Sequence, residues 1–198
     1  MSRVAAVAFL GALLVAAIPA AGQDLPPSPG APADRPTAVV ETPKGSFTIR
    51  LLPEVAPNHV AHFVETAKAG GFDGTTFHRI IMGGIIQGGD PLSKDPDQAS
   101  RYGTGGLGLL KAEFSDLPFV RGTVAAVRRP SSVDSAGNQF FICLMEQKSL
   151  KGQYTVFGEV TSGMEIVDQI SLTPVDGQTA TERVEMTVTI QEPNPSSE

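Results

Sequence analysis

The sequence predicts a mainly β fold, an antiparallel sheet closed into a barrel with helices covering its ends. Three observations predict it. Short runs of alternating apolar and polar residues recur with turn signals between them, only two stretches carry helical spacing, and no strand–helix–strand regularity links them. The 21 glycines provide for many tight turns, and 41% apolar residues in a 198-residue chain suffice for one core.

In chain order, residues 1–22 read as an export signal. Arg3 is its positive end, the fifteen residues 4–18 are unbroken apolar, Pro19 interrupts them, and Ala20-Ala21-Gly22 offers small residues for cleavage before Gln23. That run falls short of the roughly 20 residues a bilayer-spanning helix needs, so cleavage is expected and no integral membrane span remains after it. Residues 23–36 carry five prolines in fourteen, the composition of a linker. The folded domain is expected over residues 37–191, with a polar tail at 192–198.

Within the domain, residues 39–41 and 46–52 alternate about Pro43-Lys44-Gly45, two strands joined by a turn. Pro57 opens a helix at its first turn, where a missing N–H costs nothing. Val60, Phe63, Val64 and Ala67 form its apolar face at i, i+3, i+4 and i+7, and Gly70-Gly71 ends it. Residues 76–82 and 85–87 read as strands, and 100–108 as a glycine-rich loop. Residues 122–127, 138–144 and 154–160 are further strands, 163–170 a short helix and 183–190 the last strand. Alternation puts Phe77, Arg79 and Ile81 on one face, and aligns Ile85 with Gln87 and Gln139 with Phe141.

Composition removes several function classes. Fifteen basic against 21 acidic residues, a net charge of −6, leaves no basic face for nucleic acid. A single cysteine excludes an internal disulfide and a cysteine-based zinc site. Cys143, inside Phe140-Phe141-Ile142-Cys143-Leu144, reads as a buried small hydrophobe. His59 and His62 lie three apart on the first helix. Catalytic zinc takes three protein ligands and the metalloprotease glutamate is missing, so surface histidines are the preferred reading. Gly103-Thr104-Gly105-Gly106-Leu107-Gly108 lacks the lysine and hydroxyl ending of a phosphate loop and reads as a conformational loop. Ser131, Ser132 and Ser135 lie in a turn-like stretch with no base at a recognisable spacing.

The block from Phe77 to Asp90 stands out, because an arginine in so apolar a strand is costly to bury unless paired. Gln87 can accept from its guanidinium and leave the cation available, or Arg79 can be a structural residue satisfied by backbone carbonyls.

Four motifs in register carry a resemblance: Phe77-His78-Arg79-Ile80-Ile81, Gln87-Gly88-Gly89-Asp90, Gly137-Asn138-Gln139-Phe140-Phe141-Ile142 and Val156-Phe157-Gly158. Over residues 37–191 the chain resembles the cyclophilins, peptidyl-prolyl cis-trans isomerases. Lys111-Ala112-Glu113-Phe114 and Arg121-Gly122-Thr123-Val124-Ala125 resemble their bacterial branch, and with the signal at residues 1–22 an exported member of it is expected. The resemblance implies an eight-stranded barrel capped by two helices. It implies Arg79 as catalytic cation, Gln87 as its support and Phe141 with Ile85 and Leu150 as the proline pocket. Tyr154 falls on a polar rim position, and Val127, Arg128 and Gln139 on peptide-backbone contacts. The tryptophan of drug-binding relatives falls on Ser149, so weak cyclosporin binding is expected. The family's aromatic pocket residue falls on Gly84, which removes one ring wall. The adjacent Arg128 and Arg129 either favour acidic residues near the proline or form a solvated loop.

The expected protein is therefore a monomeric, cofactor-free isomerase acting outside the cytoplasm, periplasmic or secreted, on proline-containing unfolded or extended polypeptides. The alternative is a proline-peptide binding or chaperone module with weak or no isomerase turnover.

Overall fold

Alternation over Thr37–Thr42 (β1) and Gly45–Leu51 (β2) gives the first hairpin, with Ala38, Val40, Phe47, Ile49 and Leu51 all turned into the core. The structure is a computed structural model describing residues 35–192. The expected export signal, the expected linker up to residue 34 and the expected tail from residue 193 lie outside the described residues. Helix α1, Pro57–Lys68, follows, and then β3 at Thr75–Ile81 and β4 at Ile85–Gly88. Next come β5 at Thr123–Ala126, β6 at Phe140–Cys143, β7 at Val156–Ser162 and helix α2 at Met164–Ser171. A small hairpin of β8, Val175–Asp176, and β9, Thr179–Ala180, precedes β10 at Glu185–Gln191.

The order around the sheet is β10-β1-β2-β7-β5-β6-β4-β3, all antiparallel, and β3 closes it by pairing back to β10 at Met186↔Thr75 and Glu185↔Thr76. Eight strands thus form a closed barrel, as expected, and closure leaves few sheet edges open. The β8–β9 pair hangs on β3 beside Arg79. Neither this pair nor the 3-10 turns at Pro91–Lys94, Pro96–Arg101 and Lys148–Leu150 were expected, since each is too short to show a period.

The barrel interior is filled by one cluster that includes Phe47, Phe77, Phe140, Ile86 and Ile142. Phe63 of α1 plugs one end, 4.9 Å from the Phe72 ring, 5.3 Å from Phe157 and edge-on to Phe140 at 5.8 Å. A second cluster lies on the outer face of β4, β5, β6 and β7. It is built from Leu52, Phe119, Ala125, Phe141, Cys143 and Val156, with Val55, Ile85, Val127, Leu150 and Tyr154 packed against it. Cys143 is fully buried there, and desolvation pushes its thiol up to about 12, so it is an inert filler.

Two expectations need correction. Phe77 and Arg79 do not share a face. The β3–β4 register shifts between them, with Phe77 opposite Gly88 and Arg79 opposite Gln87, so His78 is an extra residue in a β-bulge. Phe77 and Ile80 both enter the interior, and Arg79 is delivered to the outer face. His59 is not a surface histidine. It is 2% exposed, and its Nδ1 donates to Glu113 Oε2 at 2.6 Å. Helix α1 has Ala56 at its N-cap and no side-chain cap of its own, so Glu113, far along the chain, caps it instead.

Candidate active site

The β3 bulge places Arg79 at one end of a row that crosses five strands. Arg79 pairs with Gln87, Gln87 with Phe141, Phe141 with Ala125, and Ala125 with Val156. Residues directly opposite in antiparallel strands share a face, so the guanidinium, the amide and the apolar cluster lie side by side.

Arg79 is held from two directions. Its Nη1 donates to Gln87 Oε1 at 3.0 Å and its Nε to Gln178 Oε1 at 2.9 Å. Both partners are neutral amides, and among the described residues no carboxylate pairs with it. A guanidinium has five N–H groups, so three remain for a ligand and the charge is undiminished. Gln87 is buried and donates onward through Nε2 to Gln139 Oε1 at 3.0 Å. Gln139 is 1% exposed and donates through Nε2 to Gly105 O at 2.7 Å. Its side chain therefore serves the scaffold behind Gln87 and does not face solvent.

The apolar half gathers the expected pocket residues Ile85, Phe141 and Leu150 together with Val127 and Tyr154. Phe141 is 3% exposed. Tyr154 meets it edge-on at 5.3 Å and 89°, and Phe119 stacks behind it at 6.3 Å and 19°. Arg128 lies over the Tyr154 ring, 4.8 Å from its centroid, with Nε donating to Gln153 O at 2.8 Å. Arg129 points elsewhere, Nη2 donating to Leu107 O at 3.2 Å. Ser149 is exposed in the short turn before Leu150. Gly84 closes the β3–β4 turn, its N–H on Ile81 O at 2.8 Å, with Gly83 in the left-handed region at φ 66. No side chain rises from Gly84 beside Ile85.

Two site residues escaped the sequence reading. Gln178 follows Asp176-Gly177, a hairpin-turn dipeptide whose signal was present, and Gly177 takes φ 62. Phe119 sits in irregular chain, and no local pattern pairs it with Phe141. The remaining motifs resolve into scaffold. His62 bonds Asn138 Oδ1 at 3.0 Å, so the two helix histidines have separate partners. Ser135 accepts from Arg129 N and donates to Ser132 O, which fixes a turn. In the glycine loop, the Gly103 and Gly105 N–H groups are taken by the Asp90 carboxylate. Among the described residues, no group of three or more metal-ligating side chains occurs and no helix is long and apolar enough to cross a membrane.

Comparison with known proteins shows the family. A family model described as cyclophilin type peptidyl-prolyl cis-trans isomerase/CLD matches residues 37–193. A protein of Brucella suis named probable peptidyl-prolyl cis-trans isomerase is 40% identical over 174 residues, covering 85% of this chain and 84% of that one. A peptidyl-prolyl cis-trans isomerase of Helicobacter pylori is 36% identical over 138 residues, 67% of this chain and 78% of its own. Among solved structures, a cyclophilin type peptidyl-prolyl cis-trans isomerase of Cryptosporidium parvum matches with a TM-score of 0.72 at 25% identity. That match covers 81% of this chain and 99% of the other.

Proposed function

This chain belongs to the cyclophilin-type peptidyl-prolyl cis-trans isomerase family and catalyses rotation about Xaa-Pro bonds, and from that premise we propose that Arg79 is the group that lowers the barrier. The observation that carries the proposal is a charged guanidinium, fixed by two glutamines and keeping free N–H groups, beside an apolar cluster centred on Phe141.

The chemistry needs nothing more elaborate. Rotation about the amide faces a barrier of about 18–20 kcal/mol because the nitrogen lone pair is delocalised into the carbonyl. In the twisted state that resonance is lost and the nitrogen becomes pyramidal and more basic. A cation already aimed at it stabilises the twisted state more than the planar ground state, which is what accelerates a reaction. Ile85, Phe141, Leu150 and Tyr154 hold the ring while the acyl side turns, and Val127, Arg128 and the Gln139 backbone lie where the rest of an extended chain would run. Each tenfold gain needs about 1.4 kcal/mol of such preference. Substrates are unfolded or extended polypeptides that can present a proline to this open face, and the closed barrel acts as a monomer. In an exchange experiment by NMR on an Xaa-Pro peptide, the purified chain accelerates cis/trans interconversion. Peptide binding without accelerated exchange would reject the assignment.

Gly84 is expected to weaken proline binding. Gly84→Phe should lower KM for a proline peptide by about fivefold to tenfold, the value of one aromatic contact with its buried area. A Cβ there meets Ile81 Cγ2 at 3.0 Å, Ile81 Cβ at 3.3 Å and Ile81 O at 3.3 Å, so the turn must give by a few tenths of an ångström, and thermal unfolding of the variant is measured beside KM. An unchanged KM would show that no ring wall is missing. Ser149 predicts weak cyclosporin inhibition, and Ser149→Trp should tighten it by at least about tenfold through added apolar contact. Equal inhibition of the two proteins would contradict this.

We also place the protein in the exported branch of the bacterial family, acting in the periplasm or beyond. The support is the residue pattern of positions 1–22. Mass spectrometry of the protein from a periplasmic or culture fraction should find Gln23 as its first residue. An intact Met1 in a cytoplasmic fraction would overturn the placement.

A further inference from the structure

We propose that Asp90 is a positioning residue for Arg79, acting through the Gly103–Gly108 loop and two buried glutamines. The inference rests on the reading of Arg79 as the active cation.

The hydrogen bonds behind Arg79 form a directed chain. Arg79 Nη1 donates to Gln87 Oε1, Gln87 Nε2 to Gln139 Oε1, and Gln139 Nε2 to the Gly105 carbonyl, at 3.0, 3.0 and 2.7 Å. A glutamine side chain carries an acceptor and a donor of nearly the same shape, so its orientation is decided by its neighbours. A guanidinium can only donate and a carbonyl can only accept. With those two ends in place, both amides have one orientation, and Gln87 must turn its oxygen toward Arg79. If the Gly105 carbonyl moves away, Gln139 loses its acceptor and can rotate, and Gln87 Nε2 loses the oxygen that holds its amide in place behind Arg79. Gln87 Oε1 still faces the cation, but neither group is then fixed.

The carbonyl is held in place by Asp90. This carboxylate is 0% exposed, and no lysine or arginine pairs with it among the described residues. Its oxygens accept three backbone N–H groups: Leu92 at 2.8 Å, Gly103 at 2.5 Å and Gly105 at 3.2 Å. Two of the three belong to the loop, and one belongs to the residue whose carbonyl anchors Gln139. The fit is close enough that a Cβ on Gly105 would collide with the carboxylate and come within 2.8 Å of Leu92 Cγ. Gly103 and Gly106, at φ 89 and 58, give the loop the turns that bring it there. A carboxylate suits this position because both oxygens accept. An asparagine would set N–H against N–H on one side.

The test uses the full chain and reads kcat and KM separately. Asp90→Asn should lower kcat by about tenfold, the value of one hydrogen bond to a charged group, with KM within about twofold. The Arg79 Nε–H signal in the NMR spectrum should shift or broaden. Gln139→Leu breaks the chain one link nearer to Arg79, so adding Asp90→Asn to it should cost nothing further. Gly105→Ala displaces the same carbonyl with Asp90 intact and stands in should Asp90→Asn fail to fold. A folded variant with wild-type kcat, or losses that multiply in the Gln139→Leu background, would overturn the positioning role. Arg79→Ala is measured alongside. If it is impaired while Asp90→Asn is not, only the Asp90 inference falls. If it turns over at the wild-type rate, both do.

Discussion

Arg79→Ala lowers the rate of cis/trans exchange on an Xaa-Pro peptide by between about tenfold and a hundredfold, with the fold unchanged. The range follows from losing one charge-assisted hydrogen bond in the twisted state, about 1.5–3 kcal/mol, at about 1.4 kcal/mol per factor of ten. The fold is expected to survive because Arg79 reaches outward from the bulge and bonds only Gln87 and Gln178 through its side chain. Gln87 keeps its bond to Gln139 when the guanidinium is removed, so no buried donor is orphaned. Arg79→Lys should recover little, since one ammonium cannot bond both glutamines and still present a donor in the same plane. Line-shape or exchange spectroscopy on the peptide measures the rate, and thermal unfolding checks the fold. An Arg79→Ala protein with the wild-type exchange rate would remove Arg79 from the mechanism.

Glu113→Ala destabilises the protein by about 2–3 kcal/mol, the combined value of a lost helix cap and hydrogen bonds to a charged acceptor. In a domain of this size that is a fall of roughly 5–10 °C in Tm. The Glu113 carboxylate accepts from Asn58 N at 3.1 Å, Asn58 Nδ2 at 2.8 Å, His59 N at 3.0 Å and His59 Nδ1 at 2.6 Å. Without it, helix α1 begins with free N–H groups, and the buried His59 loses the partner of its Nδ1. Burial pushes the carboxyl pKa up, but the bonds from His59 and Asn58 outweigh it and hold the group below its ordinary value of 4.5. A carboxylate whose folded pKa is depressed contributes stability that is complete above the unfolded value. That stability is lost as pH falls through the folded one. The gap in stability between wild type and Glu113→Ala is therefore constant above about pH 5 and narrows below pH 4.5. Denaturant unfolding at several pH values measures it. A gap that widened toward acid would show that the helix is not capped in this way.

The parts legible in the sequence are those whose signal is local. The β1–β2 hairpin and helix α1 appear as period-two and period-3.6 patterns with Pro57 and Gly70 as punctuation, and the structure reproduces both within a residue or two. The outer-face apolar cluster was legible in part. Ile85, Phe141, Leu150 and Tyr154 were expected from the resemblance, and they pack together. Phe119 was not expected, because its contact with Phe141 is made by irregular chain. His59 was misread because its partner is 54 residues away, and burial of a histidine depends on finding such a partner.

By itself the sequence determined the eight barrel strands and the two α-helices, the apolar residues that drive closure, and the presence of one arginine among apolar neighbours. Only the tertiary structure decided what that arginine can do. One extra residue at His78 turned Arg79 from the barrel interior to its outer face, because the side-chain period of a strand is two and a single insertion inverts it. The glutamine on its far side, Gln178, comes from 99 positions along the chain, brought there by a two-residue strand pair too short to show any period. Hydrogen-bond direction, unlike hydrophobic pattern, is set by which groups meet. That is decided when the barrel closes.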